Sequence, residues 1–389
     1  MYQMRVFVFI ALSIAVTFEI NAQELTPVAP TNSNSTNNLE ENETIEEELD
    51  FSIPNDTKKK TTQTKVKSIT QTQKVQQYSK ALRIFNQVES ASNQHVSQRN
   101  PTAEEQQQLE TALEEMEETR ILGVDYYLSQ YKAGNFDMSR LSYLEKARQL
   151  DPLNKEVIKQ LTGANFILDN QAALNQNILE LRKLNIFNRD YYNYAHDVVL
   201  GLQPNATLIS HGENDTYPLI KELKELNRSD VTLVSLDFLQ SETYRNSLIK
   251  KGYVLPKGNL VNTNYLSEFC NLNATRNMQI AYSVPKNYLQ NIASSLYASG
   301  LTFEYAKNKV NVFTKNLNFY DQVKLGSLLQ SNSSLANQLK SNYLPALLAL
   351  KSGYLNQQNT AKVRELEKLL NQIAEQSNKV KELKSANVK

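Results

Sequence analysis

The sequence predicts an α plus α/β fold, in which helical hairpins flank a small, mostly parallel α/β sheet of at least four strands. Three observations predict it. In 205–239, NATLISHGENDTYPLIKELKELNRSDVTLVSLDFL, two strand-length apolar runs (206–209 and 231–236) bracket one amphipathic helix, with Leu219, Ile220, Leu223 and Leu226 on one side. That is a βαβ pattern, whose parallel strands need helices to cover the sheet. Strand and helix then alternate as far as about residue 305, while helical spacing governs the chain before 200 and after 326.

Composition narrows the function classes. Among 389 residues, 42 Lys and Arg oppose 41 Asp and Glu, for a net charge of +1. This balance lacks the basic field of a nucleic-acid surface, so no nucleic-acid partner is expected. Cys270 stands alone, so no disulfide can form within the chain. His95, His196 and His211 are far apart, with no HxxxH or CxxC spacing, and no metal site is expected.

Taken in order, 1–22 reads as a secretory signal peptide: Arg5, an apolar core over 6–18, then a cleavage point after Ala22. The expected location is the bacterial periplasm. Residues 23–65 are low-complexity and polar and read as a disordered linker. No further stretch of about 20 apolar residues follows, so no transmembrane segment is expected in the mature chain. Helices fill 66–200. Thr102 with Glu104 and Glu105 marks a helix start, Gly134-Asn135 and Asp151-Pro152 mark breaks, and further helices fall near 154–168 and 170–184.

The α/β part spans 201–325. A helix is expected over 241–251, ended by Gly252, then a strand over 278–283. Tyr288, Leu289, Ile292 and Leu296 read as a helix ended by Gly300, with a last strand at 301–305. The last two strands alternate in polarity, which places them nearer the sheet edge than 231–236. Residues 326–376 form a closing helical hairpin, and 377–389 a flexible, lysine-rich tail.

Two resemblances follow from these residues. YKAGNFDMSRLSYLEKARQLDPLNKEV resembles a tetratricopeptide repeat (TPR): Gly134 and Phe136 match its inter-helix turn, Tyr143 and Ala147 its packing positions, Pro152 its close. The 326–376 pair resembles a TPR hairpin too. The segments 194–219, 229–244 and 277–307 resemble the soluble C-terminal part of bacterial membrane proteins of the O-mannosyltransferase-like type. The most specific match is Gly212 to Leu219, GENDTYPL. The sequence has no counterpart of that family's many-helix membrane half, and Thr243 or Tyr244 stands where the family carries a tryptophan. The resemblance implies the fold of the soluble part and an accessory role in an envelope glycosylation system.

Open α/β sheets bind ligands beyond the carboxyl ends of their strands. Here those ends hold His211, Gly212, Glu213, Asn214, Asp215 and Thr216, then Asp237, then 285–287. Free amides at the helix start suit an anion or a sugar hydroxyl. The structural reading is that Asp215 caps the helix, Pro218 sits in its first turn, and Gly212 and Asn214 make the turn. His211 lacks an adjacent nucleophile other than Ser210, and no Gly-rich cofactor motif is present, so neither a catalytic residue nor a cofactor is assigned. Cys270 reads as a buried structural thiol. Tyr126, Tyr127 and Tyr131, and Tyr191, Tyr192 and Tyr194, read as packing or as a peptide- or glycan-contacting surface. The expected function is a non-enzymatic exported scaffold that binds a protein partner in the cell envelope. The alternative is a small-molecule or glycan binder, or a hydrolase, using residues 211–216.

Overall fold

The computed structural model describes residues 70–95 and 97–387, so the expected signal peptide and linker lie outside the described residues. Helix starts follow local side-chain chemistry. α1 (Gln71–Asn93) and α2 (Ala103–Glu118) open on capping boxes, Thr70 with Gln73 and Thr102 with Glu105. α3 (Val124–Lys132), α4 (Leu141–Leu150), α5 (Lys155–Ile167), α6 (Gln171–Lys183) and α7 (Arg189–Gly201) follow, the last three capped by Asn154, Asn170 and Asn188. Asparagine also ends helices. Asn185, Asn227 and Asn378 take φ of 47°, 52° and 56° just beyond three helix termini. That left-handed position usually goes to glycine, and asparagine tolerates it better than most other residues.

The sheet has five strands: β1 (Ala206–Ser210), β2 (Thr232–Ser235), β3 (Asn277–Ala281), β4 (Leu296–Ser299) and β5 (Thr302–Tyr305). Their order is β2-β1-β3-β5-β4. β2, β1 and β3 run parallel, and β5 and β4 join antiparallel. The fold class is therefore α plus α/β, as expected, with a small five-strand sheet in which β5 alone runs against the other four strands. α8 (Glu213–Glu225), α9 (Glu242–Lys250) and α10 (Thr263–Leu272) provide the crossovers, and the short α11 (Lys286–Leu289) follows β3.

Two strand expectations are corrected. β3 lies at the centre of the sheet and β2 at its edge. Gln279 makes β3 look half-exposed, yet it is buried: its Oε1 accepts from Gln203 N at 3.0 Å and its Nε2 donates to Thr302 Oγ1 at 3.3 Å. The apolar β2 is covered on its free edge by Tyr244, whose hydroxyl donates to Leu233 O at 3.1 Å and accepts from Ser235 N at 3.4 Å. Residues 296–299 are a strand, not the end of a helix. Gly300, at φ +58°, forms the hairpin turn to β5 and approaches Gly201 closely.

Beyond the sheet come α12 (Phe313–Val323), α13 (Ser327–Gln330), α14 (Ser334–Lys340), α15 (Leu344–Asn356), α16 (Thr360–Gln376) and α17 (Val380–Asn387). α17 corrects the expected flexible tail: Leu383 and Ala386 are buried against the preceding helices. A single apolar core runs from Ile158 through the sheet to Ala386, so the expected boundaries at 200 and 325 do not divide it. Smaller cores lie under α1–α3 and α3–α5. Phe136 and Phe166 of the helical arm pack on Phe238, whose ring also meets Tyr217 and Tyr244. Gly163 permits this approach, since a Cβ there would lie 2.9 Å from the Tyr217 hydroxyl. Among the described residues no helix is long and apolar enough to cross a membrane.

Candidate functional site

The site is built where β1 and β2 end. Leu236 N donates to Ser210 O at 2.8 Å, extending the pairing by one step and setting Asp237 beside His211. Gly212 then turns the chain at φ +78°, a backbone region that a side chain disfavours, and α8 begins. The Asp237 carboxylate accepts from Gly212 N at 2.7 Å and from His211 Nδ1 at 3.0 Å. Arg99 closes the other side. Its Nη1 lies 3.3 Å from His211 Nε2 and 3.7 Å from Asp237 Oδ1, and its Nε donates to the Tyr288 hydroxyl at 3.2 Å. Arg99 Nη2 also donates to His95 O. The His211 ring is thus held from both sides, Nδ1 facing the Asp237 carboxylate and Nε2 facing the Arg99 guanidinium.

Arg99 reaches the strand ends because its segment is pinned there. Arg99 N donates to Val261 O at 2.8 Å, and Val261 N donates to Asn100 Oδ1 at 2.9 Å. The Arg99 side chain is 6% exposed. Burial by itself would raise the Asp237 carboxyl, but the His211 ring, the Arg99 guanidinium and the Gly212 N–H outweigh it and hold it well below the usual carboxylate range.

Asp215, one turn along, is the opposite case. Its Oδ2 accepts from Ser283 Oγ at 2.6 Å and from His211 N at 3.4 Å. Its Oδ1 is buried and has no hydrogen-bond partner among the described residues. Burial pushes its pKa up to about 6, against the pull of Ser283 and His211. Asp215 is therefore not the helix cap. Gly212 occupies the N-cap position without a side-chain bond, which makes Asp215 the third helical residue and Pro218 the sixth, beyond the first turn.

The remaining expected residues separate. Thr216 Oγ1 pairs with Ser210 Oγ at 2.9 Å, inside the fold. Glu213 forms an ion pair with Lys159 of α5 at 2.7 Å, and Asn214 is half-buried. The structure thus brings His211, Gly212, Asp215 and Asp237 into one cluster, while Glu213 and Thr216 point to other partners. Sequence reasoning missed Arg99, Lys159 and Ser283. Arg99 lies 112 positions before His211, and no local pattern marks such a pair.

Chemically the cluster is a clamp. Both His211 ring nitrogens are engaged, Nδ1 by the Asp237 carboxylate and Nε2 by the Arg99 guanidinium. Cys270 is buried at a distance from it in the chain, and burial pushes its thiol up to about 12, the behaviour of an inert core residue. No family model matches this chain, and neither a curated protein nor a solved structure matches it significantly.

Proposed function

We propose that this chain is a non-enzymatic scaffold, exported to the bacterial periplasm, whose helical arm holds a protein partner in the cell envelope. The observation that carries this reading is the closure of the strand ends by the chain's own cations. Arg99 meets His211 and Asp237, and Lys159 meets Glu213. An α/β hydrolase keeps that crevice for its substrate; here it serves as a joint between the helical arm and the sheet. The arm also leaves large apolar side chains outside: Leu150 is 55% and Leu153 70% exposed, three residues apart at the end of α4.

The test is photo-crosslinking in the native cell from position 150 or 153. The expected result is one discrete protein adduct that Leu153→Asp abolishes while the chain stays folded. Labelling that ignores Leu153→Asp would remove this reading. Export is checked separately: the mature chain should begin at Gln23 and be released by osmotic shock.

The second reading is a small-molecule binder at residues 211–216. It is favoured by the buried, unpartnered Oδ1 of Asp215, which a ligand donor would satisfy. It expects a small molecule to co-purify with the native chain, visible by mass spectrometry after denaturation, and to be lost in His211→Ala.

A further inference from the structure

A cavity of about 590 Å³ opens away from the strand ends, where the α6–α7 connection, α7, α8 and the start of α13 meet. That volume is in the range of small-molecule sites. Helical spacing builds its walls: Arg189, Tyr192 and His196 share one face of α7, and Lys221, Glu222 and Glu225 share one face of α8.

The hydrogen-bond balance of this cavity is uneven. Its acceptor charges are already used. Glu222 accepts from Lys221 Nζ at 2.6 Å through one oxygen and from His196 Nδ1 at 3.0 Å through the other. Glu225 accepts from Lys221 at 2.7 Å, and its other oxygen lies 3.8 Å from Arg182. Donors are left over. Lys221 is 8% exposed and carries three N–H groups, two of them spent on these carboxylates. Its ammonium is also held 5.1 Å above the Tyr192 ring. Arg182 is only loosely engaged, and among the described residues no ion pair or side-chain hydrogen bond engages the Arg189 guanidinium. The Ser327 hydroxyl adds a further donor, and Phe187 and Tyr192 form an aromatic wall.

We infer that this cavity binds a small organic anion, with its carboxylate or phosphate on Arg189 and Arg182 and its apolar body against Tyr192 and Phe187. A pocket whose carboxylates are neutralised in place, with Arg182 only loosely engaged and Arg189 outside any ion pair among the described residues, has electrostatic room for one more negative group. Tyr192 and Phe187 favour an anion with a flat apolar body over a bare inorganic ion. The ligand would touch α7, α8 and α13 together and so tie the sheet to the closing helices.

The experiment titrates the full mature chain with benzoate, phenyl phosphate and the neutral benzamide, by calorimetry and by thermal denaturation. Either anion, or both, should bind and raise the melting temperature, and which of them does so tells the carboxylate source from the phosphate source. Benzamide should not bind. Arg189→Gln should weaken the bound anion about tenfold, and Arg189→Lys, which keeps the charge, should weaken it less. Circular dichroism checks that each variant is folded. Failure of both anions to bind at millimolar concentration, equal binding of benzamide, or unchanged affinity in Arg189→Gln would each overturn the inference.

Discussion

The carboxyl ends of β1 and β2 and the cavity between α7 and α8 are both lined by charge, and they treat it differently. At the strand ends, Arg99 is brought in from the helical arm and is matched there to His211, Asp237, Tyr288 and the His95 carbonyl. At the cavity, the acids are paired, while Arg182 is only loosely engaged by Glu225 at 3.8 Å and Arg189 has no ion pair among the described residues. The difference teaches where to look for function. A charge that is buried and matched within the chain holds the fold, and removing one partner leaves the other stranded. A charge left at a cavity rim contributes little to the fold and can be used for something else.

The largest expected effect breaks the strand-end clamp. Arg99→Ala removes the buried cation beside the Asp237 carboxylate and the donor that serves the Tyr288 hydroxyl and the His95 carbonyl, and should cost about 3–5 kcal/mol by chemical denaturation. Arg99→Lys should recover only part of this, since an ammonium cannot span partners arranged for a fork. A loss below about 1 kcal/mol would show that the clamp is not what joins arm to sheet.

The two aspartates of the same site give a sharper contrast, in pH. Asp237 is held low, so its contribution to stability is present above the usual carboxylate pKa and fades as the pH falls into the acid range. Asp215 is pushed up to about 6, so the native chain holds a proton that the unfolded chain releases. Its effect has the opposite sign: stability declines as pH rises from about 4 to 6, by up to about 3 kcal/mol. Asp197, buried with the Tyr343 hydroxyl 2.5 Å away and raised to about 6, acts in the same direction. Asp215→Asn should flatten the Asp215 part of this decline, read as the denaturation midpoint at pH 4.5 and 7.5. An equal slope in both proteins would place the proton elsewhere. Asp215→Ser should behave like Asp215→Ala, without the rescue a helix cap would show, because Gly212 holds the cap position.

Gly212→Ala is a smaller perturbation of the same turn. A Cβ would meet nothing within 4 Å, so the cost comes from the backbone conformation alone, at φ of +78°. With ψ at 155° the residue lies in a region open essentially only to glycine, and a loss of about 1–3 kcal/mol by chemical denaturation is expected, with the helix otherwise intact.

How much of this was legible in the sequence depends on the range of each interaction. Features set by neighbours in the chain could be read: the 206–209 and 231–236 strands, the α8 face, the Thr102–Glu105 capping box, and the helix breaks at Gly134 and Pro152. Features set by distant partners could not. Gln279 and Glu304 make β3 and β5 look half-exposed, but Thr302 and Lys315 satisfy them in the interior. Ile292 and Leu296 fit a helical spacing by coincidence, and the antiparallel pairing of 296–299 with 302–305 overrides it. His211, Gly212, Asp215 and Asp237 were found because the ends of parallel strands mark them. Arg99 was not, because nothing near it in sequence distinguishes it from a surface arginine.

The smallest expected effect is the one that tests the comparison most directly. Arg189→Gln and Arg182→Gln remove the same chemical group as Arg99→Ala, from the rim of the cavity instead of the strand ends. Arg189 is exposed without an ion pair among the described residues, and Arg182 is 64% exposed with its carboxylate 3.8 Å away. Solvent screens such charges, so each change should shift stability by no more than about 0.5 kcal/mol in ligand-free buffer. Adding benzoate or phenyl phosphate should then separate the proteins, because a ligand that binds only the folded chain stabilises it in proportion to its affinity. Wild type should gain stability and Arg189→Gln should gain less. If Arg189→Gln instead costs as much as Arg99→Ala with no ligand present, the rim arginine is part of the fold. The distinction between a matched charge that builds the molecule and a spare charge that serves it would then fail at this position.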